Sequence, residues 1–214
     1  MKHVPSHWIK GAALAVAGAG LLSVATGSFN HAASADNAPH AGDLAVGKSV
    51  QPFTLPKWDG TKESVGDWNG SGAKATVVIF VSTHCPVSNA YNDRMIALKT
   101  TYAPQGVRIY GVDANKAESM DTIAQFVKDK GFNFPWLKDN NNVIADRFGA
   151  SVTPEAYVID SSGTLRYWGE IDNSKDPAGV TAHPLADAID AVVAGKTVPV
   201  AKTSAFGCGI KRVG

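Results

Sequence analysis

The sequence is poor in cysteine, with two in 214 residues, and poor in charge, with 18% Asp, Glu, Lys and Arg. Two cysteines exclude a small scaffold built on several disulfides, and they lack the spacing of a structural zinc site. Lys and Arg number 20 against 19 acidic residues, so no strongly basic surface predicts nucleic acid as a partner. Hydrophobic residues make up 44% of the chain, which favours a globular protein with a real core over a disordered one.

Nucleotide and metal motifs are missing as well. No glycine-rich phosphate loop follows a predicted strand, so nothing indicates nucleotide binding. The histidines after residue 35 are His40, His84 and His183, too widely spaced for a metal-ligand pattern. We therefore predict no cofactor and no metal. Four acids that follow strands or turns are expected to be solvated loop residues: Asp113, Asp139, Asp160 and Asp172.

The longest apolar run lies near the N-terminus. Lys2 and Lys10 precede the run Gly11–Gly27, and Ala33–Ala35 supplies the small residues of a cleavage site. This order is typical of a secretory signal peptide, and the run is shorter than the roughly 20 residues of a spanning helix. We predict a signal peptide over residues 1–35 and a periplasmic or secreted protein, without stable membrane insertion after cleavage. An uncleaved membrane anchor is the alternative.

The rest of the chain is predicted to be a linker, one domain and a tail. Residues 36–46 are small and polar, as in a linker. Residues 47–199 form one domain, and residues 200–214 form a tail that has no strong period and carries Cys208. The element order β-α-β-α-(α)-β-β-α predicts an α/β sandwich with a mixed sheet. The predicted strands cover residues 75–81, 106–112, 156–160 and 164–170, and the predicted helices cover residues 86–102, about 120–131, 142–148 and about 185–195.

Cys85 lies where the first buried strand gives way to a helix. Unpaired N–H groups and the positive end of the helix dipole favour an anion there, so the pKa of a thiol falls below its usual value of about 8.5. This position predicts a nucleophilic sulfur exposed at the edge of the sheet. The alternatives are a buried inert cysteine or half of a structural disulfide. His84 either adds positive charge to the thiolate or simply occupies the surface beside it.

Four segments resemble the thioredoxin-like superfamily, in particular redoxins of the alkyl hydroperoxide reductase and thiol-specific antioxidant type. The resemblance spans about residues 47–212 and implies a thioredoxin-like sandwich, with a mixed central sheet flanked by helices. Phe80–Ser88 is similar to the active-site segment, with Cys85 at the first cysteine of Cys-x-x-Cys, and Val152–Glu155 is similar to the cis-proline loop. Val50–Leu55 with Asp59-Gly60 is similar to the redoxin N-terminal segment. Phe206–Lys211 is similar to a Gly-Cys-x-Ile-Lys ending.

The resemblance implies catalytic roles for Cys85, Cys208 and Pro154. Ser88 replaces the second cysteine and cannot resolve a mixed disulfide, which leaves Cys208 as the candidate resolving residue. A permanent Cys85–Cys208 disulfide that ties down the tail is the alternative. A cis Pro154 would expose backbone groups that pair with an extended substrate, whereas an ordinary trans proline would not. Glu155 is expected to be a solvated acid at the start of a strand.

The leading hypothesis is an exported thiol–disulfide oxidoreductase that acts on a protein disulfide or a peroxide and is restored by an external thiol reductant. A thiol peroxidase that uses the same two cysteines is the alternative, although Val78 and Ser82 depart from the peroxiredoxin motif Pro-x-x-x-Thr-x-x-Cys. A copper(I)-handling module would instead use soft ligands. Its candidate ligands are Cys85, His84 and Cys208 or Met95. A non-catalytic adaptor with the same fold is also open.

Overall fold

The computed structural model describes residues 44–214. The predicted signal peptide and all but the end of the predicted linker lie outside the described residues. Within residues 44–214, no helix has both the length and the apolar character needed to span a bilayer.

Nine strands and five α-helices make up the described part of the chain. The strands are β1 Phe53–Pro56, β2 Lys62–Val65, β3 Ala75–Val81, β4 Val107–Asp113, β5 Trp136–Lys138, β6 Val152–Thr153, β7 Glu155–Asp160, β8 Leu165–Gly169 and β9 Cys208–Gly209. The helices are α1 Pro86–Ala90, α2 Asn92–Tyr102, α3 Met120–Lys130, α4 Val143–Phe148 and α5 Pro184–Val193.

A five-stranded sheet in the order β5-β4-β3-β7-β8 forms the centre of the domain. β3 runs parallel to β4 and antiparallel to β7, so the sheet is mixed, as predicted. Every residue of β3 is buried, because its side chains alternate between two cores. Val77 and Ile79 pack into one core, and Val78 and Phe80 pack into the other. The central strand is therefore held from both faces, and so is the point where it ends, just before Cys85.

Helices cover the two faces of the sheet unequally. One core contains buried side chains from α2, α3 and α5, such as Met95, Ile123 and Leu185. The other contains the β1–β2 hairpin and α4, where Phe148 makes edge-to-face contacts with Phe53 and Phe80. This layering confirms the predicted α/β sandwich.

The single helix predicted over residues 86–102 is wrong in one respect, because the chain forms two helices with Tyr91 between them. The Tyr91 N–H donates to Ser88 O, three residues back, so the last turn of α1 is tightened and the α-helical pattern is interrupted. The Tyr91 ring also stacks under the Arg94 guanidinium at 3.7 Å. Helix α1 is consequently a short element whose main role is to present its N-terminus.

The C-terminal tail is an ordered strap, although the sequence showed no period there. Lys202 bridges to Trp168 of β8, at one edge of the central sheet. Lys211 N donates to Asn115 Oδ1 beyond β4, and Val213 N donates to Asn142 Oδ1 beyond β5, at the other edge. Residues 202–213, called the strap from here on, therefore cross the end of the sheet where Cys85 lies.

Candidate active site

Cys85 lies at the helix start that the sequence predicted, and the structure makes it the N-cap residue of α1. Its backbone is extended, Pro86 follows in the first turn, and its Sγ accepts a hydrogen bond from Ser88 N at 3.3 Å. Its own N–H donates to Ser82 Oγ at 3.0 Å. The strand-to-helix turn thus fixes both the backbone and the sulfur of Cys85.

The predicted exposure of the Cys85 sulfur is wrong, since the residue is only 3% exposed. Its thiol donates to the carbonyl oxygen of Thr153 at 3.2 Å. Thr153 in turn pairs with Cys208, because β6 and β9 form a small antiparallel sheet. The strap covers the turn, and this contact between distant parts of the chain has no local signal in the sequence around Cys85.

The two cysteines meet as free thiols. The register of β6 and β9 sets Cys208 opposite Thr153, and the Cys208 side chain is hydrogen-bonded to Cys85. Gly207 approaches this strand so closely that a Cβ there would overlap Thr153 O, which explains why a glycine precedes Cys208. The structure therefore brings together the predicted nucleophile and the predicted resolving cysteine.

The pKa values of the two thiols move in opposite directions. Burial opposes ionisation of Cys85, but hydrogen bonds with the Cys208 side chain and from Ser88 N–H outweigh it and lower the pKa of Cys85. The same hydrogen bond with Cys85, together with burial, raises the pKa of Cys208. Cys85 is the sulfur that ionises first. The hydrogen bond with the Cys208 thiol lowers the pKa of Cys85 more than the hydrogen bond from the Ser88 amide at the helix N-terminus does.

The Thr153–Pro154 peptide bond is cis, as the resemblance implied. The backbone groups of the strand that precedes it are not open for an extended substrate, because β9 occupies the edge of β6. A catalytic role for Pro154 stays a prediction.

Glu155 is not the solvated acid that the sequence suggested. It is 1% exposed, and its carboxylate accepts hydrogen bonds from Ser151 N at 2.8 Å and from Tyr157 Oη at 3.0 Å. These bonds fix the turn that leads into Thr153. Glu155 therefore supports the carbonyl that meets the Cys85 sulfur.

Glu118 is a site residue that the sequence analysis missed. It accepts hydrogen bonds from Ser82 Oγ at 2.5 Å and from Thr83 N and Oγ1 at 2.5 and 2.7 Å. Since Ser82 Oγ accepts from Cys85 N, the carboxylate holds the turn that positions Cys85. The signal was available, because β3 and β4 are parallel neighbours and the loops after them lie at the same edge of the sheet.

Asp113 is buried behind Glu118, where its Oδ1 accepts a hydrogen bond from Lys138 Nζ at 2.9 Å. Burial and the adjacent Glu118 carboxylate raise the pKa of Asp113 to about 8. Burial opposes the ionisation of Glu118, but its contacts with Asp113, Ser82 and Thr83 lower its pKa to about 2. Asp113 is fully buried, so the expectation of a solvated loop acid was wrong. The same holds for Asp139 and Asp172, which are also buried.

The other proposed ligands do not gather around Cys85. The His84 side chain is 68% exposed, and its Nδ1 lies 3.1 Å from Thr83 Oγ1 and 3.7 Å from Glu118 Oε1. Met95 is buried in the core. Over residues 44–214, no group of three or more His, Cys, Asp or Glu side chains is arranged to hold a metal ion.

Known proteins resemble this chain in sequence and in fold. The AhpC/TSA family matches residues 46–168. The thiol-disulfide oxidoreductase ResA of Geobacillus thermodenitrificans is 26% identical over 123 residues, which are 58% of this chain and 68% of that protein. The crystal structure of a hypothetical protein from Sinorhizobium meliloti 1021 is 28% identical with a TM-score of 0.73, covering 80% of this chain and 97% of that one. The crystal structure of peroxidoxin BcpB from Mycobacterium tuberculosis, 18% identical with a TM-score of 0.56 over 71% of this chain and 97% of that one, shows a shared fold alone.

Proposed function

Since the chain belongs to the AhpC/TSA family, we propose that it is an exported thiol–disulfide oxidoreductase in which Cys85 is the nucleophile and Cys208 is the resolving cysteine. Similarity to a relative named thiol-disulfide oxidoreductase supports the class of chemistry, a thiol-dependent oxidoreductase. The export belongs to the proposal and rests on the signal-like order of residues 1–35.

The observation that carries the proposal is the contact between two free thiols whose pKa values shift in opposite directions. A thiol–disulfide exchange needs one ionised sulfur that attacks and a second thiol that completes the exchange. Cys85 meets the first requirement, because its pKa is lowered at a helix N-terminus. Cys208 meets the second, because its side chain already touches Cys85.

The exchange takes place in two steps. The Cys85 thiolate attacks one sulfur of the substrate disulfide, an S–S bond forms to Cys85, and the first substrate thiolate leaves. Cys208 then loses its proton to solvent and attacks the Cys85 sulfur, which releases the second substrate thiolate. The substrate is reduced by two electrons, the protein holds a Cys85–Cys208 disulfide, and two equivalents of an external thiol restore it.

The site departs from the Cys-x-x-Cys arrangement in a way that favours this division of roles. Ser88 is fully buried, and its Oγ accepts a hydrogen bond from Ser82 N at 3.3 Å. It supports the turn and has no thiol to offer. The resolving thiol therefore comes from the strap rather than from α1.

A dedicated peroxidase is less well supported by the geometry. A serine hydroxyl has one proton to donate, and Ser82 donates its proton to Glu118. The same oxygen accepts from Cys85 N, so the hydroxyl is committed and cannot also donate to a peroxide at the sulfur. Val78, at the position of the motif proline, is buried in the core.

The proposal is tested by a mass map of both cysteines under graded ratios of reduced to oxidised glutathione. We expect one intramolecular Cys85–Cys208 disulfide in the oxidised protein and two free thiols in the reduced protein. The variant Cys208→Ser should accumulate a stable mixed disulfide at Cys85, whereas the matched variant Cys85→Ser should lose turnover. An oxidised protein without a Cys85–Cys208 linkage would refute the proposal. The mature mass of exported protein tests the cleavage after residue 35 separately.

A further inference from the structure

The strap lies along the strand edge that an extended polypeptide would need in order to reach Cys85. β9 pairs with β6 in antiparallel register, with Gly209 opposite Val152 and Cys208 opposite Thr153. Ile210 N continues the pairing by donating to Ser151 O at 3.0 Å. An extended segment from another protein gains its affinity from main-chain hydrogen bonds of this kind. In this structure the chain's own tail makes them.

The strap is anchored on both sides of Cys208 and is not a loose end. On one side, Thr203 Oγ1 is hydrogen-bonded to Tyr167 Oη at 2.7 Å and accepts from Glu170 N at 3.0 Å. On the other side, Arg212 donates to Ala150 O at 2.8 Å and pairs with Asp146 at 3.1 Å.

We propose that the strap determines the specificity of this site: while seated, it excludes extended polypeptide disulfides from Cys85 and admits low-molecular-weight disulfides. The inference rests on the proposed function and names the substrate class. A small disulfide has to bring one sulfur into line with Cys85 Sγ, whereas a polypeptide also needs the edge of β6. Cys208 is only partly buried whereas Cys85 is buried, so a small disulfide would approach the sulfur of Cys85 from the Cys208 side.

The redox step itself is the same for both classes of substrate. A small disulfide accepts two electrons from Cys85 and Cys208 and leaves as two thiols, while the protein forms its internal disulfide. Only the access of the substrate to Cys85 differs. A polypeptide disulfide reacts in proportion to the fraction of molecules whose strap has left β6, because local opening precedes its binding.

Two glycines in the strap provide a matched pair of test variants. A Cβ at Gly207 would overlap Thr153 O, so Gly207→Ala must break the pairing of β9 with β6. A Cβ at Gly209 would meet Ser151 O as its nearest neighbour, at 3.9 Å, which is an ordinary contact. Gly209→Ala therefore adds the same methyl group and keeps the strap seated. Amide hydrogen exchange at Ile210 measures whether the strap is seated in each variant.

The experiment measures how fast the fully reduced, full-length protein is oxidised by glutathione disulfide and by an unfolded polypeptide that contains one disulfide. Wild type and Gly209→Ala should prefer glutathione disulfide. In Gly207→Ala the ratio of the polypeptide rate to the glutathione disulfide rate should rise about tenfold, in line with a larger open fraction, whereas the loosened contact between Cys208 and Cys85 affects both rates alike.

A ratio of the two rates that stays unchanged in Gly207→Ala, despite faster exchange at Ile210, would overturn the inference. If Gly207→Ala fails to fold, Arg212→Ala loosens the strap from outside the site and should shift the same ratio in the same direction. A wild-type protein that neither disulfide oxidises would refute the proposed function itself, which is a different result.

Discussion

The two cysteines lie in segments that differ in how deeply their hydrogen bonds are buried. The turn that carries Cys85 is fixed by buried side chains, since Ser82, Thr83 and Glu118 are all buried and bonded to one another. The strap that carries Cys208 is held by a two-residue strand pairing and by hydrogen bonds that are only partly buried. Phe206 packs on the Tyr91 ring but stays 37% exposed.

This difference in burial indicates which of the two segments can move. A buried carboxylate with several hydrogen bonds leaves the Cys85 turn in one arrangement, because each broken bond would leave a polar group unpaired in the interior. The short strand pair and the partly buried hydrogen bonds of the strap can open locally at a lower free-energy cost than the buried network of the turn. The Cys85 turn is therefore fixed, whereas the strap that covers it can be displaced.

The largest effect is expected from Glu118→Gln, which keeps the shape of the side chain but removes its charge. We expect the free energy of unfolding to fall by about 3 kcal/mol, because the buried donors of Ser82 and Thr83 lose a carboxylate acceptor. Urea unfolding measures the change, with Glu63→Gln on the hairpin as the control. A loss no larger than that of the control would mean that the Cys85 turn does not depend on this carboxylate.

The second-largest effect is a pH dependence of the free energy of unfolding, which comes from Asp113. Its pKa is about 8 in the folded protein and about 3.9 in an unfolded chain, so folding takes up a proton between these values. Stability should therefore fall as the pH rises, by about 2.7 kcal/mol between about pH 5 and 7. Glu118, whose pKa is lowered to about 2, does not titrate in this window. The variant Asp113→Asn should lack this slope in urea unfolding, and parallel curves for the two proteins would contradict the assignment.

A smaller loss of stability is expected from a substitution at Thr203, near the start of the strap. Thr203→Val keeps the shape but removes the hydroxyl that bonds Tyr167 Oη and Glu170 N. We expect a loss of about 1 kcal/mol in the free energy of unfolding, the usual net contribution of such hydrogen bonds. Thr197→Val, in the exposed segment before the strap, serves as the control. Equal stabilities of the two variants would show that this anchor does not hold the strap.

The smallest effect is expected at the other end of the strap. The Arg212 side chain is 35% exposed and its partner Asp146 is 60% exposed, so their ion pair is screened by water. Arg212→Ala should lower the free energy of unfolding by only about 0.5 kcal/mol. Hydrogen exchange at Val213 should nevertheless increase, because that residue lies beside the lost anchor. A large global loss would indicate that the strap is part of the core rather than a cover over it.

Local patterns in the sequence predicted the elements that carry the site. The β-branched run before Cys85 and the proline after it were enough to place the strand and the helix start. The hairpin strands β7 and β8 follow from the two short segments on either side of the turn at residues 161–163. The two-residue strands β6 and β9 have no such pattern, because neither exists without the other.

What the sequence did not predict depends on contacts between distant segments. Glu155 and Asp113 look like ordinary acids beside strand ends, and only the loops packed over them make them buried. The exposure of Cys85 was misjudged for the same reason, since the strap that covers it is far away along the chain. Glu118 could have been found from the rule that the ends of parallel strands share one edge.

The separation of Cys85 and Cys208 along the chain, 208 − 85 = 123 positions, has a consequence for the thermodynamics of the whole domain. A covalent cross-link between them would enclose four of the five strands of the central sheet, β4, β5, β7 and β8, in one ring. A ring of that size removes about 4 to 5 kcal/mol of conformational freedom from the unfolded chain. The cross-linked molecule should therefore melt at a higher temperature than the dithiol, and by the same thermodynamic cycle the native fold makes the cross-link harder to break.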